Sequence, residues 1–300
     1  PFENPDGPDG APGAWRSVPR VAAVGPRSRT GGADDRRRAG GRRAGSLSPC
    51  GGTTGQNGAM TADAERASDA AARRASARRL LVPGLVLVAL SCVLGAWILA
   101  RGNDPFVVDA WWNDLLTAWV SPVALGVSRF MNAAGGGLLG VLILPLALAA
   151  LLLLLRRPWA AAYFVVAEIG SAGGVQALKH LFGRARPENI IVISDFGSFP
   201  SGHVANAATI AAVAFVLFPR VWTAVAGAAW VVLMAFSRTY LHAHWLSDTL
   251  GGALIGCGAA LLVAAAFAGP LLREHRAVVA RPAVGPPTSD GPPRRRTEAP

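Results

Sequence analysis

Three short blocks in the second half of the chain hold residue types that together could attack a phosphate ester. They are Lys179-x6-Arg186-Pro187, Pro200-Ser201-Gly202-His203 and Ser237-Arg238-x5-His244-x3-Asp248. The inventory is three fixed cations, a hydroxyl, a glycine turn, two histidines and a carboxylate able to orient one of them. Those are the parts of a histidine nucleophile working inside an anion cradle.

Each block has a local reason for its chemistry. Lys179 and Arg186 are two helical turns apart and are expected on one face, at a helix end frayed by the residue before Pro187. Ser201 is placed to cap the helix that follows it. The free N–H groups of that first turn, with Gly202 letting the backbone approach closely, would then face a phosphate. His244 and Asp248 are spaced i, i+4, so on a helix the carboxylate would accept the Nδ1 proton and leave Nε2 as a free lone pair. Arg238 is a candidate bidentate partner for phosphate oxygens. The chain has 28 Arg and one Lys, and that Lys is Lys179. The compact ammonium therefore stands at the first position of the cradle.

The elements around these blocks are apolar. Hydrophobic residues make up 52% of the 300-residue chain and charged residues 16%, a balance that points to a membrane protein. The formal charge of +11 is concentrated in the two tails. No folded basic face or stacking platform for nucleic acid accompanies it, and cytoplasmic, positive-inside tails are the better reading. Cys50, Cys92 and Cys257 do not form a disulfide framework. No Cys/His cluster has zinc spacing, so neither a metal nor a cofactor is expected.

Segments near the ~20 residues needed to cross a bilayer are Leu80–Ala100, Leu138–Leu155, Trp159–Leu178, Val204–Phe218, Val221–Phe236 and Leu250–Ala268. The expected fold is all-α: a polytopic bundle of six transmembrane helices with both termini cytoplasmic. Residues 101–137, with Trp111, Trp112 and Trp119, read as an outer interfacial segment. Arg156, Arg157, Arg220, Arg273 and Arg276 fall on the inner side of this topology, whereas Lys179, Arg184, Arg186 and Arg238 fall outside. Basic residues that break the charge rule in this way are functional candidates. Residues 1–79 and 271–300 read as disordered tails flanking a membrane domain at 80–270. The first Met is Met60, and residues 1–59 read either as tail or as translated upstream sequence.

Taken together, the three blocks resemble the signature motifs of the type 2 phosphatidic acid phosphatase family, membrane lipid phosphatases whose helical fold is shared with vanadium haloperoxidases. The resemblance covers roughly residues 80–270. It implies that His244 attacks phosphorus and forms a phosphohistidine, with Asp248 orienting it. It further implies that His203 protonates the leaving oxygen and then activates water, and that Lys179, Arg186, Ser201, Gly202 and Arg238 hold the non-bridging oxygens without a metal. The implied substrate is a lipid phosphate or diphosphate, such as phosphatidic acid, phosphatidylglycerol phosphate or a polyprenyl diphosphate, met on the extracytoplasmic face of the cell membrane. The alternatives are a phosphotransferase using the same intermediate, a vanadate-dependent haloperoxidase, and a membrane protein that only binds phosphate.

Other residues are assigned blander places. His180 and His242 read as interfacial, Arg184 as a surface or headgroup residue, and Glu168, deep in the third span, as a packing residue. Specificity is expected in 101–137 and 188–199, where no code is readable.

Overall fold

The computed structural model describes residues 54–280, and the parts of both predicted tails at 1–53 and 281–300 lie outside the described residues. Every regular element in the described span is helical: α1 (Thr54–Ala100), α2 (Val107–Ala118), α3 (Pro122–Gly135), α4 (Leu144–Leu154), α5 (Pro158–Phe182), α6 (Gly202–Leu217), α7 (Val221–Tyr240), α8 (Leu246–Ala266) and α9 (Ala268–Val279). A π-helical turn, Leu139–Ile143, leads into α4.

Four helices are long and apolar enough to cross a membrane: Arg74–Ala100 within α1, α5, α7 and α8. A fifth crossing is available if α3 and the π-turn with α4 form one broken span, bent by 51°. This corrects the sequence boundaries. In that case the apolar segment that starts at Leu138 is only the second half of the span, and its first half, α3, falls within the stretch 101–137 that the sequence reads as interfacial. Three successive glycines, Gly135 to Gly137, interrupt the pattern, and Gly137 takes a positive φ of 58° that glycine adopts without strain. α6 is shorter still, 16 residues, or ~24 Å at 1.5 Å per residue.

Helix also extends beyond the predicted domain edges. α1 begins at Thr54, inside the stretch read as tail, because the Ala- and Arg-rich sequence before Leu80 favours helix once the span nucleates it. Likewise α9 runs to Val279. Its Glu274 turns back to the start of α5, accepting from the backbone N–H of Trp159 at 2.7 Å and Ala160 at 3.3 Å and from Arg157 Nε at 3.3 Å.

α8 is the central helix, packing on α1, α5 and α6. Glycine sets how closely α6 approaches it. A Cβ on Gly252 would run into the Ser201 carbonyl oxygen, and one on Gly256 into that of Ala205. Aromatic and aliphatic side chains fill the bundle on either side of this contact. Tyr163, Phe164 and Ala260 lie in one cluster, and Ile98, Phe182, Phe199 and Ile255 in another. Phe199 of the second cluster directly precedes the Pro200–His203 block.

Candidate active site

Where α5 ends and α6 and α8 begin, the bundle holds a cavity of about 460 Å3. Lys179, Arg186, Gly202, His203, Arg238 and His244 all line it. Residues far apart in the chain therefore meet at one place, as the block reading expects. Ser201 and Asp248 lie behind the lining, both fully buried.

The cations arrive by different routes. α5 stops at Gly183, whose φ of 54° is left-handed and whose N–H bonds back to the Lys179 carbonyl at 2.9 Å, a glycine C-cap. Lys179 is thus in the last turn, and Arg186 lies in the loop beyond rather than on the same helical face. The two still converge, on a residue the sequence reading did not single out. Asp195 places both oxygens 2.8 Å from Lys179 Nζ and one oxygen 2.7 Å from Arg186 Nη2. Burial works to raise the Asp195 carboxyl, but the Lys179 hydrogen bond and the charges of Lys179 and Arg186 outweigh it and hold it below the usual carboxylate range. Arg238, in the last turn of α7, donates from Nη1 to the side-chain oxygen of Asn132 on α3. The backbone carbonyl of Asn132 accepts from His203 Nε2 at 3.1 Å, so His203 carries a proton on that nitrogen.

His244 is locked in one tautomer by its neighbours. Its Nδ1 lies 2.7 Å from the Ser198 carbonyl, which can only accept, so Nδ1 bears the proton. Its Nε2 lies 3.1 Å from Arg186 Nη1, which can only donate, so Nε2 presents its lone pair among the cations. Burial pushes the imidazole down to about 4, the nearby Asp248 carboxylate opposing that shift only in part. The ring is therefore neutral near pH 7. His244 precedes α8 rather than sharing its face with Asp248, and the carboxylate is 3.7 Å from Nδ1. Asp248 acts instead through its surroundings: its Oδ2 accepts from Ser198 Oγ at 2.5 Å and from the Trp245 N–H at 2.9 Å. Ser198, also unread in the sequence, thus bonds both members of the pair.

Three further expectations change. Ser201 occupies the N-cap position of α6, but its hydroxyl makes no cap bond and is buried without a partner. Arg184 is not at the surface; its side chain is fully buried, 2.6 Å from Asp248 Oδ1 and 2.9 Å from Asp109 Oδ2. His242 is buried against Asn113 Oδ1 at 2.8 Å, while His180 stacks on Phe196 with ring centroids 5.5 Å apart. Glu168 lines the same cavity, with Oε1 buried and unpartnered. Among the described residues no group of three or more His, Cys, Asp or Glu side chains is placed to hold a metal ion.

Known proteins share parts of this sequence and its fold. The family model described as PAP2 superfamily matches residues 160–269. That segment belongs to the PAP2 superfamily. It runs from α5 through α8 and contains every residue of the three blocks, so the resemblance read from those blocks is borne out. The chain is 33% identical over 122 residues to a lipid A 1-phosphatase of Rhizobium johnstonii, an alignment covering 37% of this chain and 49% of that protein. It is 32% identical over 92 residues to a lipid A 4'-phosphatase of Bacteroides thetaiotaomicron, covering 26% and 40%. The chain thus spans about half the length of these curated relatives, or less. The crystal structure of a transmembrane PAP2-type phosphatidylglycerolphosphate phosphatase from Bacillus subtilis superimposes with a TM-score of 0.52 at 23% identity, over 60% of this chain and 93% of that one. The helical fold of an integral membrane PAP2 phosphatase is therefore shared.

Proposed function

We propose that this chain is an integral membrane phosphatase that removes phosphate from a lipid phosphate monoester or lipid diphosphate through a phosphohistidine on His244. The observation that carries the reading is the state of that imidazole. Its proton is pinned on Nδ1 by Ser198, and its Nε2 lone pair points into a cavity lined by Lys179, Arg186 and Arg238.

In the first step Nε2 bonds to phosphorus and the bond from phosphorus to the leaving oxygen breaks. The imidazolium form of His203 gives that oxygen its proton. In the second step His203, now neutral, takes a proton from water as the water attacks phosphorus, and the P–N bond breaks to release inorganic phosphate and free His244. The three cations and the N–H groups at the start of α6 hold the non-bridging oxygens, and their charge supplies electrostatic stabilisation without a metal.

The distribution of arginines supports a site at one membrane face. Arg156, Arg157, Arg220 and Arg273 fall on connections or on α9 at the other end of the helices. By the positive-inside rule that end is cytoplasmic and the site is extracytoplasmic. In this arrangement α6 makes the sixth crossing, and both tails are cytoplasmic. The cavity lining includes two exposed apolar side chains, Val141 of the π-turn and Ile169 of α5, which suits a substrate entering from the leaflet.

The test is a phosphate-release screen of the purified protein over phosphatidic acid, phosphatidylglycerol phosphate, a lipid A phosphate and a polyprenyl diphosphate. At least one substrate is expected to turn over in the presence of chelator, with acid-labile phosphate on the protein and no turnover by His244→Ala. Release that survives His244→Ala would rule the mechanism out.

A further inference from the structure

Arg184 stands between two buried carboxylates. Its Nη1 donates to Asp248 Oδ1 at 2.6 Å and to Ser247 Oγ at 2.8 Å, and its Nη2 donates to Asp109 Oδ2 at 2.9 Å. Asp109 comes from α2, the short helix outside the matched family segment, and is held in turn by the Ser247 N–H at 2.8 Å and the Ser247 hydroxyl at 2.7 Å. The side chains of Asp109, Arg184 and Asp248 are all fully buried. The backbone of Arg184 meets the same circuit, because its carbonyl accepts from the Ser198 N–H at 2.8 Å. Ser198 then bonds His244 through its carbonyl and Asp248 through its hydroxyl.

A buried arginine paired with one carboxylate would leave a neutral unit. Here one cation serves two carboxylates, and the formal charges sum to one negative. Buried charge is costly unless it is offset, and Arg186, at Nε2 of the His244 ring, offsets part of this excess in the resting state. In the phosphohistidine step the His244 ring, protonated on Nδ1 and phosphorylated on Nε2, gains one positive charge. The array then faces an imidazolium of opposite sign 3.7 Å from Asp248. Its charge is thus complementary to the phosphorylated state more than to the resting one, as transition-state stabilisation requires.

We propose that Arg184 is a positioning residue for the His244–Asp248 pair, and that together with Asp109 it sets the charge of the carboxylate array facing the phosphorylated imidazole. This rests on the phosphohistidine reading of the site. Arg184 touches no substrate, because the phosphate cations are Lys179, Arg186 and Arg238. Its loss is therefore expected in kcat and not in KM.

The experiment uses the full chain in detergent micelles, with turnover of a lipid phosphate and the 15N signals of His244 read in parallel. Arg184→Gln is expected to lower kcat by roughly 100-fold, the loss seen when a supporting partner of a reactive histidine is removed. KM should stay within about threefold, and the Nδ1–H tautomer of His244 should give way to a mixture. Adding Asp109→Asn restores the single negative charge and is expected to recover kcat by about tenfold over Arg184→Gln alone. Asp109→Asn by itself neutralises the array and should lower kcat by about tenfold at unchanged KM, which keeps a reading available if Arg184→Gln does not fold. Arg184→Gln with wild-type kcat, a double variant no better than the single, or a kcat loss with unaltered His244 signals would each overturn the proposal. If the wild-type chain releases no phosphate from any lipid, the phosphatase reading falls instead. The His244 tautomer then decides alone whether Arg184 positions the ring.

Discussion

Lys179 Nζ lies 2.8 Å from each carboxylate oxygen of Asp195. Asp195 also holds Arg186, so two of the three cavity cations face a carboxylate from the same chain, in the way they would face two phosphate oxygens. A phosphate taking those cations must displace it, and its apparent affinity is reduced by the fraction of molecules in which the carboxylate is seated. Asp195→Asn is therefore expected to bind inorganic phosphate about tenfold tighter, seen by calorimetry and as a lower inhibition constant for product. An unchanged or weaker affinity would show that the carboxylate does not compete for the seat.

The neutral state of His244 gives a pH dependence with a definite sign. Burial holds the folded imidazole at about 4, against ~6.5 for an unperturbed histidine. Between those values the unfolded chain binds the proton and the folded chain does not, so stability falls as pH drops through that window. The melting temperature in detergent should decline from pH 6.5 toward pH 4. His244→Gln should reduce the slope, because glutamine has nothing to titrate there, and leave the share of His242, which burial also lowers. A slope identical in the variant would place the titration elsewhere.

The site was legible wherever a residue type carries its own chemistry. Lys179, His203, Arg238 and His244 line the cavity, and their blocks could be read because cations and histidines at helix ends in an apolar chain are few. The supporting residues could not be read. Asp195 and Ser198 lie in a loop without periodicity. Asn132 and Asp109 come from helices whose register against α7 and α8 depends on tertiary packing. Arg184 was the misreading with the most consequence: the positive-inside rule places a charge on one side of the membrane and is silent on whether it faces water or a buried carboxylate. Helix count was harder than helix existence, since the glycine break at 135–137 and the 16 residues of α6 both depart from a uniform span length.

At the far end of α5, Glu274 replaces a helix cap. It accepts from the Trp159 and Ala160 N–H groups and pairs with Arg157. The side chains of Arg157 and Glu274 are 10% and 5% exposed, so removing the acceptor strands donors away from water. Glu274→Ala is expected to cost about 1–3 kcal/mol of stability, with Glu274→Gln intermediate because it still accepts. Phosphate affinity should not change in either, since the site is at the opposite end of the helix. A thermal melt alongside a phosphate titration separates the two effects, and a weakened phosphate affinity would contradict the assignment.

Gly252 controls the distance between α6 and α8 at the site itself. A methyl there would meet the Ser201 carbonyl oxygen, with the Ala205 nitrogen at 3.3 Å, and both are backbone atoms that cannot rotate away. Asp248 is one turn earlier on α8 and its carbonyl accepts from the Ser201 N–H at 3.0 Å. Pushing the helices apart therefore moves the carboxylate and the start of α6 together. Gly252→Ala is expected to destabilise by about 1–3 kcal/mol through overpacking and to lower kcat by about tenfold through misplacement of Asp248 and His203. Gly173→Ala is the control, because a methyl at that position meets nothing within 4 Å. It should be neutral or stabilising by up to ~1 kcal/mol through helix propensity. Equal losses in the two variants would mean that glycine as such, and not the α6–α8 approach, matters to the fold.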